Sequence, residues 1–200
     1  MTRPPVPSGP NFVHITERKS IVESKGGKLG KDVTHLPPGQ GTRSLWVLGE
    51  LVAFKIASSQ TGGAYSLFEV ETPPGSGMPP HVQHREDEAF WVLEGEYEFL
   101  LEGRTIDAGA GSLIYVPRGN LHAHKNVGKA PGRMLVSQTP GGLHERFFDE
   151  IGEEPKYVSA PTVSEDPPGL ESVAKIAAEY GIEMSSPVAR TTGGKRSRNE

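Results

Sequence analysis

Cysteine is absent from the 200-residue chain. Disulfide frameworks, zinc–thiolate sites and thiol nucleophiles are thereby excluded. No stretch approaches the roughly 18 consecutive apolar residues of a membrane span, and no charged N-terminal region leads into an apolar run. A soluble, cytoplasmic protein without membrane contact is expected. A basic stripe is also lacking: Lys and Arg number 21 against 25 Asp and Glu, for a net charge of −4. No nucleic-acid partner is expected on that balance, and the one basic cluster, Lys195, Arg196 and Arg198, reads as a solvated tail. Hydrolase and nucleotide signatures are missing too. Gly75-Ser76-Gly77 and Gly111-Ser112 are turns with no helix to follow. Gly26-Gly27-Lys28-Leu29-Gly30 lacks the spacing of a phosphate-binding loop.

What the chain does have is a central stretch of short apolar segments. Residues 44–47, 50–57, 64–72, 88–94, 96–102, 112–116, 121–126 and 132–138 are rich in Val, Leu, Ile, Phe and Tyr. Turns rich in Gly and Pro separate them, among them Pro73-Pro74-Gly75, Gly109-Ala110-Gly111 and Pro117-Arg118-Gly119. Many short strands at this spacing predict an all-β sandwich or barrel. The helical insertions that a parallel α/β sheet needs are not there. Two helices are predicted after the strands. Residues 142–151 place Leu143, Phe147 and Ile151 on one stripe with Phe148 beside it, and 169–181 place Leu170, Val173, Ile176, Ala177 and Tyr180 on one face. The organisation is therefore an N-terminal arm and loop over 1–43, a β-barrel over 44–140, helices and a Pro-rich linker over 141–185, and a disordered tail over 186–200.

Five of the seven histidines lie between positions 81 and 144. Imidazole and carboxylate are the preferred ligands of divalent Zn, Mn, Fe, Co, Ni and Cu. Strand alternation gives Glu88, Phe90 and Val92 one face, and His122, His124 and Asn126 another. If both faces point inward, His and Glu sit among apolar side chains, which is costly unless they are paired or metallated. Trp91 has the opposite parity to Glu88 and reads as a core or interface aromatic. In the acidic run, Glu86 and Asp87 read as solvated charges, and His144 reads as a surface residue.

Two motifs organise these residues. The first is Gly75-x5-His81-x-Gln83-x4-Glu88-x6-Gly95, and the second is Gly111-x5-Pro117-x-Gly119-x2-His122-x3-Asn126. Together they resemble the paired signature motifs of the cupin superfamily, and the context PPHVQHREDEAFWVLEGEYEF followed by GGLHERFFDEIG resembles small single-domain cupins of the quercetin 2,3-dioxygenase-like kind. The resemblance implies a double-stranded β-helix, a jelly-roll barrel with C-terminal helices. It implies one divalent transition metal (Mn, Fe, Ni, Co, Cu or Zn) on His81, Gln83, Glu88 and His122, with Glu88 also as the catalytic base, and a homodimer. His124 and Phe90 become candidates for contact with the substrate or with the ligands.

One identity departs from the family pattern, which has His where this chain has Gln83. An amide oxygen is a weaker, harder donor than imidazole nitrogen and favours Mn or Fe over Cu, Ni or Zn. Three readings stay open: Gln83 ligates through oxygen, His84 replaces it through a local bulge, or the metal is weak or absent. Function is open in parallel. A metal-dependent oxidoreductase, a dioxygenase acting on an aromatic or enolic small molecule with dioxygen, leads. A metal-assisted isomerase, cyclase or lyase and a non-catalytic small-molecule-binding protein are the alternatives.

Overall fold

The computed structural model describes residues 33–155 and 169–185. The expected N-terminal arm up to residue 32, the linker from 156 to 168 and the tail from 186 lie outside the described residues. The chain divides into two units, Met1–His35 and Leu36–Glu200, and everything below concerns the second.

Eleven strands occur among the described residues. In chain order they are β1 Arg43–Val47, β2 Glu50–Ile56, β3 Ser66–Thr72, β4 His81–Gln83, β5 Asp87–Glu94, β6 Glu96–Leu101, β7 Arg104–Gly109, β8 Leu113–Val116, β9 Leu121–Asn126, β10 Gly132–Thr139 and β11 Ile182–Met184. They form two antiparallel sheets. One runs β1-β2-β3-β10-β5-β8 and the other β11-β4-β9-β6-β7. The expected all-β jelly-roll architecture is what the chain adopts, with two helices, α1 Leu143–Ile151 and α2 Leu170–Glu179, after the main body of strands.

Alternation drives this folding. Along β3 every second residue, Ser66, Phe68, Val70 and Thr72, is buried, and β10 repeats the pattern with Met134, Val136 and Gln138. The inward rows of both sheets interdigitate in a core that includes Phe54, Phe68, Phe90, Val92, Tyr97, Phe99 and Met134. Phe54 and Phe68 meet edge to face with centroids 4.9 Å apart, and Phe148 of α1 packs on Phe68 at 5.4 Å. Such pairs add to the area they remove from water. Gly95 turns β5 into β6 at φ +95°, and a Cβ there would lie 2.7 Å from the Gly132 backbone, so no other residue fits without a shift.

Three strands were not legible as strands. β4 has only three residues and follows Pro79-Pro80. β7 is polar, and only Ala108 along it is buried, so it carries no apolar alternation. β11 follows α2 directly, after Gly181 at φ +78°, inside the segment expected to hold helices and linker. It pairs antiparallel with β4, Ile182 opposite Gln83 and Met184 opposite His81, so the end of the described chain covers the outer edge of the short strand that carries the first motif.

The structure narrows one expectation and corrects another. Of the two readings of Trp91, core or interface, the core one falls: the residue is 54% exposed on the outer face of its sheet, where Leu113 on the neighbouring strand stands opposite and is exposed too. His144 is not on the surface but is buried, because the stripe of α1 that faces the barrel is His144, Phe147, Phe148 and Ile151, an i, i+3, i+4, i+7 set.

Candidate metal centre

Register brings the first two histidines together. β4 pairs with β9 so that His81 stands opposite His122, and their rings approach to 4.2 Å between centroids. Glu88 comes from β5 of the other sheet, so the cluster bridges the two layers of the barrel. One ligand-type atom from each of His81, Glu88 and His122 lies within 4.8 Å of the others, and all three residues are buried. The loop before β4 is held close by Gly77, where a Cβ would sit 2.1 Å from the His124 carbonyl oxygen.

Each imidazole is oriented from behind. His81 Nδ1 lies 2.9 Å from the Pro79 carbonyl, and His122 Nδ1 lies 3.0 Å from the Asn120 carbonyl. A carbonyl only accepts, so both Nδ1 atoms donate and both Nε2 atoms are left as lone pairs. Yet His122 Nε2 stands 2.9 Å from Glu88 Oε2. Lone pair against carboxylate repels, so the contact requires either a proton on Nε2 or a cation between the two groups. Burial favours neutral imidazole, but the hydrogen bond to Glu88 and its charge outweigh it and raise the His122 pKa. His81 goes the other way: burial and the neighbouring His122 lower it to about 3, so it is neutral at ordinary pH. Burial alone would raise Glu88, but the His122 hydrogen bond and the nearby His122, His144 and His81 rings hold it below the usual carboxylate range. Glu88 is therefore ionised.

Two amides flank that carboxylate. Gln83 Nε2 donates to Glu88 Oε2 at 2.5 Å, and Gln138 Nε2 donates to Glu88 Oε1 at 2.7 Å. The Gln83 Oε1 atom is buried without a partner. A half-turn of the amide would exchange this orphaned oxygen for the nitrogen and offer a fourth donor toward the cluster. Two imidazole nitrogens, an ionised carboxylate and an unpartnered buried amide oxygen are a donor set that fits a divalent transition-metal ion.

His84, the alternative third nitrogen, is not in the cluster. Its Nε2 pairs with Glu183 on β11 at 2.9 Å, and its side chain is half exposed. β4 has no bulge between His81 and Gln83, so His84 keeps the opposite parity.

His124 and Phe90 both line the cavity beside the cluster. Phe90 packs its ring against both imidazoles, 6.1 Å from His122 and 5.6 Å from His124. His124 Nε2 lies 2.8 Å from Glu50 Oε1, which also accepts from Thr72 Oγ1 at 2.6 Å. Glu50, Gln138 and His144 reach the same cavity and were not singled out as site residues from the sequence. Strand parity held the clue for Gln138: it follows Met134 and Val136 on the inward row of β10. For Glu50 the clue was an acid at the head of the apolar strand Glu50–Ile56.

In the acidic run, Glu86 is a further correction. It is not solvated but 2% exposed. One of its oxygens accepts from the Leu143 and His144 amides at the start of α1, and the other meets His144 Nδ1 at 2.5 Å. The carboxylate caps the helix and fixes the ring that α1 sends to the cavity. Asp87, by contrast, stays near the surface and binds Arg118.

Comparison with known proteins places this geometry in context. The cupin domain family matches residues 68–137, a span that holds every residue of the cluster. Quercetin 2,3-dioxygenase of Bacillus subtilis is 27% identical over 148 residues, covering 72% of this chain and 43% of that protein. An uncharacterized protein of Methanocaldococcus jannaschii is 30% identical over 84 residues, 42% of this chain and 67% of that one. Oxalate oxidase 1 of Hordeum vulgare is 35% identical over 88 residues, 38% of this chain and 43% of the oxidase. The chain thus spans less than half the length of the dioxygenase and the oxidase it matches.

Proposed function

The chain belongs to the cupin superfamily, and on that premise we propose that it is a metal-dependent oxidoreductase, a dioxygenase acting on an enolic or phenolic aromatic small molecule. His81, Gln83, Glu88 and His122 would hold one divalent transition metal. The observation that carries the reading is the cluster itself: two histidines with Nδ1 tied to backbone carbonyls, and an ionised carboxylate, all within 4.8 Å. The relative that acts on quercetin supports the substrate class.

When bound, the ion supplies Lewis acidity toward an enol oxygen and a redox partner for dioxygen. The chain's own residues do the rest. Glu88 is ionised and so can receive the proton that an enol O–H gives up. Gln138 keeps one Glu88 oxygen engaged and fixes the direction of the other. His81 is neutral and offers a lone pair rather than a charge. Phe68, Val136, Phe148 and Ile182 wall the cavity and favour a flat apolar body.

The test is metal analysis of freshly purified protein by elemental mass spectrometry, followed by oxygen-uptake assays on flavonols and β-diketones. About one equivalent of metal and substrate-dependent oxygen consumption are expected. Full turnover under argon would transfer the site to isomerase, cyclase or lyase chemistry. A protein that neither carries nor accepts metal would be a small-molecule binder instead.

A further inference from the structure

The cavity has a second polar pole that the cluster chemistry does not use. Glu50 is 2% exposed, and its side chain lines the same cavity as His81 and Glu88. Its Oε1 is occupied twice, by the Thr72 hydroxyl and by His124 Nε2. Its Oε2 has no hydrogen-bond partner among the described residues and is not sealed off by packing, as the fully buried orphans of Gln83 and Gln138 are. The open oxygen therefore faces the cavity. No Lys or Arg lines the cavity to answer it. A carboxylate oxygen buried without a donor is costly, so whatever fills the cavity gains by bringing one.

The position of the pole is set by β9. His122 of the cluster and His124, which holds Glu50, are two residues apart on one face, hence about 6–7 Å apart along the strand. Phe90 packs on both rings and supplies an apolar floor between the poles. The occupant that matches all three features is a compact, flat ring with an ionisable oxygen at one end and a hydrogen-bond donor at the other.

We propose that Glu50 is a substrate-recognition residue, whose free Oε2 accepts a hydrogen bond from a hydroxyl on the far side of an enolic or phenolic ring that presents its enol oxygen to His81, Glu88 and His122. The proposal rests on the metal–enol reading above and names the substrate class within it: hydroxylated enols with the second hydroxyl across the ring. Thr72 and His124 are positioning residues that aim the carboxylate.

Two small probes separate the parts. Both 3-hydroxy-4-pyranone and kojic acid carry the enol, and only kojic acid carries a hydroxymethyl group across the ring. Each is titrated under argon into the cobalt(II)-loaded protein, and the cobalt d–d bands report engagement of the enol. Kojic acid is expected to bind about tenfold more tightly than 3-hydroxy-4-pyranone, the worth of one hydrogen bond to a charged group. Glu50→Gln removes the charge, and Glu50→Asp keeps it for His124 but withdraws the oxygen by one methylene. Both are expected to cut the preference to about twofold or less, with melting curves showing that each variant is folded. A preference absent from the wild type, or one that survives in whichever of the two variants folds, overturns the role of Glu50 and leaves the metal–enol reading standing. If neither probe perturbs the cobalt bands, or cobalt does not load, the metal–enol reading falls and the Glu50 proposal falls with it.

Discussion

Gln138 and Glu88 stand directly opposite each other where β10 pairs with β5, and the Gln138 amide donates to Glu88 Oε1 at 2.7 Å. The other contacts of the carboxylate, from Gln83 and His122, converge on Oε2. Those are the two groups that must release Glu88 if a cation takes their place. Gln138 alone keeps its grip, and it does so from a strand that carries none of the proposed ligands.

Gln138→Leu should therefore loosen the carboxylate without removing any ligand. Outer-shell partners of metal-binding groups are worth about 10- to 100-fold in affinity. A cobalt(II) titration followed by visible absorption should show a weakening in that range and a changed band envelope at saturation. An unchanged affinity and spectrum would show that Gln83 and His122 suffice to orient Glu88.

Glu86 does three jobs at once, since it accepts from two helix amides and from His144 Nδ1. Glu86→Ala strips the cap from α1 and leaves a buried imidazole without its acceptor. The cap alone is worth about 0.5–2 kcal/mol, and an orphaned buried donor costs about 1–3 kcal/mol more. Urea denaturation should register a loss of about 1.5–5 kcal/mol. A loss below about 0.5 kcal/mol would mean that water replaces the carboxylate at both places.

How far the sequence carried can be judged from these same residues. The resemblance of the two motifs to the cupin signatures named His81, Gln83, Glu88 and His122 as one group, and strand pairing brings His81 and His122 together because they face each other across β4 and β9. Alternation made the long strands visible, but it failed for β7, whose side chains are almost all exposed, and for the three-residue β4 and β11, which are too short to show a period. Glu86 and His144 were misplaced for a different reason. Each reads as polar in isolation, and only the docking of α1 on the barrel turns two polar residues into a buried pair. Their burial depends on a contact 58 positions apart, which no local pattern encodes.

Acid should act on the Asp87–Arg118 pair in a definite direction. Arg118 hydrogen-bonds the Asp87 carboxylate and lowers its pKa to about 2 from 3.8. A carboxyl whose pKa is depressed by folding stabilises the fold above its unfolded pKa, and that contribution fades as pH falls through the folded value. Arg118→Ala should thus be less stable than wild type by a constant amount above pH of about 5, with the difference closing as pH approaches about 2. Denaturation midpoints for both proteins between those limits measure it. A difference that stays constant down to the lowest pH would assign the effect of Arg118 to packing rather than to the ion pair.

The last test concerns the amide at position 83. Gln83 sits in the cluster with its oxygen orphaned, whereas His84 is paired with Glu183 near the surface. If the site binds a divalent ion, Gln83→His replaces a neutral oxygen donor by a stronger nitrogen donor. It should raise the affinity for zinc, nickel or copper more than that for manganese. His84→Ala removes only an exposed partner of Glu183, so metal affinity should stay within about twofold and stability within about 0.5 kcal/mol. Competition titrations with a chromophoric chelator, run on the wild type and both variants with zinc and with manganese, give the six numbers required. A collapse of affinity in His84→Ala with no gain in Gln83→His would mean that β4 rearranges on loading to bring His84 inward, and the ligand set would have to be redrawn around it.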